Sequence, residues 1–143
     1  MVIKINLHNT GTFKIPSLYN IQRWVNTIPL KKNNIGVLLK VVSKKTMCNI
    51  NKKYRNLNKG TNILSFPLCN SDYITFYIGV IILCPDIISE ECHKTHLNYK
   101  EHWSHLMIHG VLHLLNFTHG NHNASHVMSL LEKKLLNKLK LLK

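Results

Sequence analysis

The sequence predicts an α+β (mixed α/β) fold: a mixed central β-sheet with helices packed on it, in a single domain over residues 1–143. Three observations carry this expectation. Short β-branched runs alternate with stretches of helical apolar spacing. Prolines and capping residues stand where one pattern gives way to the next. After the last strand-like run only helical patterns follow, so the order reads βαβα, then two strands, then three helices. With 143 residues, 45% of them hydrophobic, the chain is long enough to bury a real core.

The elements follow in order. Val2, Ile3 and Ile5 open a short strand. Pro16 and Ser17 mark a helix start, Leu18, Ile21, Trp24, Val25 and Ile28 form its apolar side, and Pro29 ends it. Ile35 to Val42 is β-branched and leucine-rich, which suits a buried strand. Lys44 to Arg55 carries Met47, Ile50 and Tyr54 at helical spacing, and residues 56–60 form a loop. The segment TNILSFP (61–67) is a short strand ended by Pro67, residues 68–73 are a turn or hairpin tip, and Ile74 to Leu83 is a further strand. Pro85 suits the first turn of a helix running to about His93. His96 to Leu115 reads as a long, mostly buried helix. Asn123 to Leu142 reads as a final amphipathic helix, with Val127, Met128, Leu131, Leu135 and Leu139 inward and Lys133, Lys134, Lys138 and Lys140 mostly outward.

Charge narrows the partners. Nineteen Lys+Arg against six Asp+Glu give a net charge of +13. Such an excess repels itself and suits a polyanion, nucleic acid first. Many of the lysines stand in Asn/Lys/Ile-rich contexts, so a coding bias toward A/T-rich codons is a second explanation. Cys48, Cys69, Cys84 and Cys92 form no C-x-x-C pair, and a chain of this size needs no disulfide staples, so free thiols are expected. The N-terminal MVIKINLHN alternates like a strand and lacks the apolar stretch of a signal peptide. No run approaches the roughly eighteen apolar residues of a membrane span. The expectation is a soluble cytoplasmic protein with no membrane partner.

The chemistry lies in HGVLHLLNFTH. His109 and His113 are separated by four residues and therefore point the same way on a helix. Asn116 breaks that helix, and a short turn returns His119. Three neutral imidazoles can hold a divalent metal tetrahedrally and leave the fourth position open, as in a catalytic site. His105 and His102 stand one and two turns earlier. Either one orients a ligand or a substrate phosphate, or is an ordinary packed or partly solvated histidine; the ordinary reading is preferred for His102. His122 and His126 read as surface residues at a helix start. A zinc protease of the H-E-x-x-H type carries glutamate after the first histidine as general base, and here that position is Gly110. No acidic residue stands between His102 and Glu132. The metal must then supply most of the activation, lowering the pKa of bound water toward ~7 and polarising the bond under attack. A phosphodiester suits such a site, because phosphate oxygens bind metal directly.

These residues resemble the YbeY endoribonuclease family. HGVLHLLNFTH is similar to that family's H-G-x-L-H-L-x-G-Y-D-H signature, HWSHLMIHG before it agrees, and Met128 and Glu132 match the M-x-x-x-E of its last helix. Upstream, YRNLNKGTNILSFP resembles Y-R-x-x-D-x-x-T-D/N-V-L-S-F-P. The resemblance implies a zinc-dependent, single-strand-specific endoribonuclease. Its task would be ribosomal RNA maturation, notably at the 3′ end of the small-subunit RNA, and ribosome quality control. Its partners would be single-stranded RNA and the small ribosomal subunit, with one Zn²⁺ per chain and no small-molecule cofactor beyond the metal. On that resemblance His109, His113 and His119 are the zinc ligands, and Arg55 acts on the substrate phosphate. Lys59 and His105 are further candidates for substrate binding. Thr61, Asn62, Ser65 and Phe66 belong to a sheet edge flanking the cleft, where Phe66 is simply structural.

The chain departs from the family pattern between the second and third histidines, where Gly, Tyr and Asp become Asn116, Phe117 and Thr118. Asparagine tolerates the left-handed turn almost as glycine does. Phe117 keeps the ring and loses the hydroxyl, and Thr118 loses a carboxylate able to orient an imidazole. The family's Gly-Asp pair in a strand is Gly79-Val80, and acidic residues after the third histidine are replaced by Gly120, Asn121 and Asn123. The rival readings are a ribosome- or RNA-binding assembly factor whose zinc is structural or vestigial, and a peptidase, against which the absent glutamate speaks. Thr118→Asp is expected to raise zinc affinity by restoring that carboxylate. A competition titration against a chelating dye measures it, and equal affinities would show the departure to be harmless.

Overall fold

The computed structural model describes residues 3–9, 11, 13–29, 34–68, 77–115, 130–131 and 133–137. Strands β1 (Ile3–Asn9), β2 (Ile35–Val41), β3 (Ile63–Pro67) and β4 (Tyr77–Leu83) alternate with helices α1 (Leu18–Val25), α2 (Lys44–Arg55), α3 (Pro85–Thr95) and α4 (Tyr99–Leu114) in the order β1-α1-β2-α2-β3-β4-α3-α4. The sheet order is β1-β2-β4-β3. β1 and β4 both run parallel to β2, whereas β3 runs antiparallel to β4, with Ile63 opposite Leu83 and Pro67 opposite Gly79. The sheet is therefore mixed, as expected, and the fold is α+β.

Strand alternation gives the sheet two differently covered faces. Val37, Leu39, Ile81 and Leu83 join Ile21, Trp24 and Val25 of α1 and Trp103, Met107, Ile108, Val111 and Leu112 of α4 in the main core. The residues between them point the other way: Ile82 and Leu64 pack with Met47 of α2 and Cys84 in a smaller cluster. Helices α1 and α4 thus cover one face, and α2 covers the opposite one.

The two edges of the sheet are handled differently. On β1, side-chain amides of α1 replace a missing strand. Ile3 N–H donates to Asn26 Oδ1 and Ile5 N–H to Gln22 Oε1, each at 3.0 Å, and Gln22 Nε2 donates to the Ile3 carbonyl. Backbone groups left bare on an edge invite pairing with another chain, so this arrangement blunts one side. The other edge is β3, where Pro67 is tolerated because an edge strand needs fewer ladder donors.

Caps set the helix boundaries. Ser17 Oγ accepts from Asn20 N–H at 3.2 Å, and Ser43 Oγ accepts from Thr46 N–H at 3.2 Å. Such caps are each worth about 1 kcal/mol. Helix α2 spans the expected residues and ends where Asn56 turns left-handed at φ 57°. The boundary expected between α3 and α4 is corrected. Helix α3 continues to Thr95, His96 takes a left-handed cap at φ 55°, and α4 begins only at Tyr99. The cause is Asn98, whose Oδ1 accepts from Glu101 N–H at 3.1 Å. The expected tip at 68–73 and the start of the strand at 74 fall mainly outside the described residues. Of the final helix, residues 130–131 and 133–137 are described and are helical, with Leu135 buried.

Cys48, Cys84 and Cys92 are free thiols, and burial pushes Cys84 and Cys92 above the ordinary thiol range. No helix among the described residues is long and apolar enough to cross a membrane.

Glycine 79 sits where β4, β3 and α4 meet. A Cβ there would press into the Leu114 side chain and stand 2.8 Å from the Phe66 carbonyl oxygen. A leucine side chain can yield, but a carbonyl held in the sheet cannot. Gly79→Ala is expected to cost about 1–3 kcal/mol. Denaturant titration checks it, with a lowered midpoint at unchanged slope; an unaltered midpoint would show that the strands separate freely.

Candidate active site

The site is built at the open edge of β3. Helix α4 approaches this strand closely because residue 110 is glycine: a Cβ there would lie 3.0 Å from Ile63 Cδ1, 3.1 Å from Ile81 Cδ1 and 3.3 Å from Ser65 Oγ. The helix is buried nearly all round. From His102 to Leu114 every residue is buried except His102, His105, His109 and His113. Those four fall on one side at helical spacing. The expectation that the histidines sit among apolar neighbours is therefore right along the chain and modified in space. His109 is half-buried, His113 is exposed, and both sit on the single open face of an otherwise buried helix.

From the opposite face of the sheet comes α2. Tyr54 packs its ring against Phe66 of β3, with centroids 5.3 Å apart and planes at 60°. That contact anchors the end of α2 and sets the next residue, Arg55, beside the strand. The loop after it is held by Asn51, which is buried and donates from Nδ2 to the Lys59 carbonyl at 2.8 Å. A cleft of about 290 Å³ results, lined by Arg55, Ile63, Leu64, Ser65, Phe66, His109 and His113. Because β3 alternates, Leu64 and Phe66 belong to the α2 side and Ile63 and Ser65 to the α4 side. The cleft therefore wraps the strand edge, with a cation at one rim and imidazoles at the other.

Within it the His109 and His113 rings stand 5.1 Å apart at 67°, and the His105 ring lies 6.4 Å from His109. Two imidazoles one helical turn apart are a donor pair suited to a borderline-soft divalent ion. Among the described residues no group of three or more His, Cys, Asp or Glu side chains is placed to hold a metal. His119, the expected third donor, lies outside the described residues, as do Asn116, Phe117, Thr118, His122 and His126. The described donors fit a metal as part of a set and do not complete one.

The family model for endoribonuclease YbeY matches residues 8–140. The chain belongs to the YbeY endoribonuclease family. It is 42% identical over 142 residues to an endoribonuclease YbeY of Buchnera aphidicola subsp. Baizongia pistaciae, covering 97% of this chain and 92% of that protein. Against the YbeY of Wigglesworthia glossinidia brevipalpis it is 37% identical, covering 85% and 82%. The solution structure of a protein from Thermotoga maritima superposes with a TM-score of 0.64 at 24% identity, covering 92% of this chain and 86% of that one. That likeness supports the fold.

Seen as a YbeY chain, the protein places the expected residues unequally. Arg55, His109 and His113 share the cleft lining. Lys59 is exposed on the loop after α2, and His105 is exposed one turn before His109; neither lines the cleft. His102, for which an ordinary structural role was preferred, has a definite partner. Its Nε2 lies 3.0 Å from Glu91 Oε1, and Asn62 Nδ2 donates to both Glu91 oxygens at 3.0 and 3.2 Å. A carboxylate can only accept, so Nε2 of His102 carries the proton. Glu91 was not legible as a site residue. It lies 29 positions from Asn62 and 11 from His102, and no local spacing connects them. It ties the start of β3 to the start of α4, and so holds together the two walls that the cleft needs.

Proposed function

We propose that this YbeY chain is a metal-dependent, single-strand-specific endoribonuclease of one domain, with His109, His113 and His119 holding one zinc ion and Arg55 gripping the substrate phosphate. The observation that supports this reading best is the cleft, where Arg55 from one face of the sheet and His109 and His113 from the other line one space across the outermost strand β3. When bound, the metal supplies Lewis acidity to the phosphodiester under attack. The remaining roles fall to the chain. Arg55 is permanently charged and presents a planar fork of donors matched to two phosphate oxygens. Charge that accumulates on those oxygens in the transition state strengthens that grip relative to the ground state. Gly110 keeps α4 against β3, so the histidine face cannot drift from the arginine.

The substrate in this reading is ribosomal RNA, with maturation of the small-subunit RNA 3′ end as the reaction and the small ribosomal subunit as the partner. The work would take place in the cytoplasm. The net charge of +13 favours such a polyanion. The acidic base that a peptidase would carry next to His109 is absent, since that residue is Gly110.

Two predictions test the assignment. His113→Ala, and likewise His109→Ala and His119→Ala, is expected to lose most bound zinc, because two imidazoles hold the ion poorly, whereas His122→Ala should retain it. Metal analysis of the purified proteins decides this, and stoichiometric zinc in the His113→Ala protein would remove it from the ligand set. Arg55→Ala is expected to keep zinc and fold but lose cleavage on the order of a hundredfold, with partial rescue in Arg55→Lys. Binding of the same RNA should weaken far less, since the other cations still supply salt-dependent attraction. Wild-type cleavage rates in Arg55→Ala would make the residue a plain surface cation. Zinc-loaded wild-type protein that binds single-stranded RNA without cutting it would favour an assembly factor with a structural or vestigial metal.

A further inference from the structure

The residue beside the catalytic arginine is left unused by this reaction. Tyr54 is 61% exposed although it sits on a helix packed against the sheet. Its ring touches Phe66, and Phe66 lines the cleft together with Arg55. The pair fastens α2 to β3, but that contact uses only part of the ring. The exposed remainder lies among cations: Lys52, Lys53, Arg55 and Lys59 are all exposed, and no acidic residue occurs between Lys44 and Leu68. Lys53 Nζ stands 5.4 Å from the centroid of the Tyr54 ring.

We propose that Tyr54, backed by Phe66, is a stacking site for one unpaired nucleobase next to the phosphate held at Arg55. The proposal rests on the endoribonuclease reading for what that phosphate is, but not for the base site itself. The surroundings select the occupant. An aromatic face ringed by cations suits a ligand that is flat and apolar in one part and anionic in the adjoining part, as every nucleotide is. Lys53 does not close the site. An exposed ammonium–ring contact is weaker than a base–ring stack. A base therefore displaces the lysine, whose flexible stem then carries its charge to the neighbouring phosphate. The site also discriminates. Bases inside a duplex are already stacked on each other, whereas a single strand offers its faces freely. Tyr54 would thus make the cleft prefer unpaired RNA without reading its sequence.

The test uses zinc-loaded protein and a single-stranded oligoribonucleotide carrying 2-aminopurine, whose fluorescence is quenched by stacking, at each position around the cleavage point in turn. Wild-type protein should quench one position strongly. Tyr54→Ala should lose that quench and raise KM about tenfold, with a smaller fall in kcat because the same ring seats Arg55, and Tyr54→Phe should behave as wild type. Arg55→Ala should show the converse, keeping the quench while losing kcat. Should Tyr54→Ala fail to fold, an abasic scan of the RNA against wild-type protein puts the same question: removing one base near the scissile phosphate should raise KM about tenfold. Cleavage by wild type with KM and quenching unaffected by Tyr54→Ala, or an abasic scan without effect at any position, overturns the base site and leaves the nuclease reading intact. Quenching that depends on Tyr54 in a protein that cuts no RNA overturns the nuclease reading and leaves the base site standing.

Discussion

The cleft in this fold depends on the close approach of α4 to β3 at Gly110. With no Cβ there, the helix settles against Ile63, Ser65 and Ile81. That seating turns the buried residues of α4 into the sheet and leaves one narrow open stripe, which consists of histidines. A larger residue at this position would push the helix outward or tilt it. The core would lose contacts, and the imidazoles would move away from Arg55. Packing and chemistry thus share a single constraint, because the same translation of α4 that relieves one steric clash misplaces the other.

The polar network around Glu91 serves the same geometry from the other end. Asn62 immediately precedes β3, His102 stands near the start of α4, and Glu91 of α3 bonds to both. Groups of this kind are costly to leave unpaired when partly removed from water. The walls are therefore fastened at Glu91 by polar contacts and pressed together at Gly110 by apolar ones. Arg55 is placed by its helix. Its helix is anchored through Tyr54 and Phe66, and its own side chain is exposed.

Much of this was legible in the sequence, for physical reasons. Helix α2 ran from Lys44 to Arg55 as expected, since Met47, Ile50 and Tyr54 mark one face and Ser43 supplies a cap. The mixed sheet followed from the strand-like runs between helical patterns. The histidine pair was legible because a separation of four is a local signal on a helix. What was not legible is relational. No spacing announces that Glu91 bonds Asn62 and His102, because the three belong to different elements. The start of α4 was misplaced because helical patterning runs back to His96, whereas the Asn98 cap, a matter of one side chain and one backbone N–H, sets the boundary. The sequence marks Phe66 as a structural residue; it is a packing residue and a wall of the cleft at once, and the outer position of β3 makes both roles possible.

The strand order has a consequence for how the molecule comes into being. β3 is made before β4 and pairs with it as its neighbour in the chain, whereas β4 must also reach back past α2 and β3 to lie alongside β2. During synthesis β3 therefore waits without a ladder partner while later residues emerge. The β2–β4 ladder spans the longer separation, and such contacts are slow to form compared with local ones. Arg55 is translated early and the histidines late, and nothing brings them together until α4 settles on the finished sheet. A growing chain therefore passes through an interval with Arg55 in place and no opposing wall. The cleft cannot exist before α4 does.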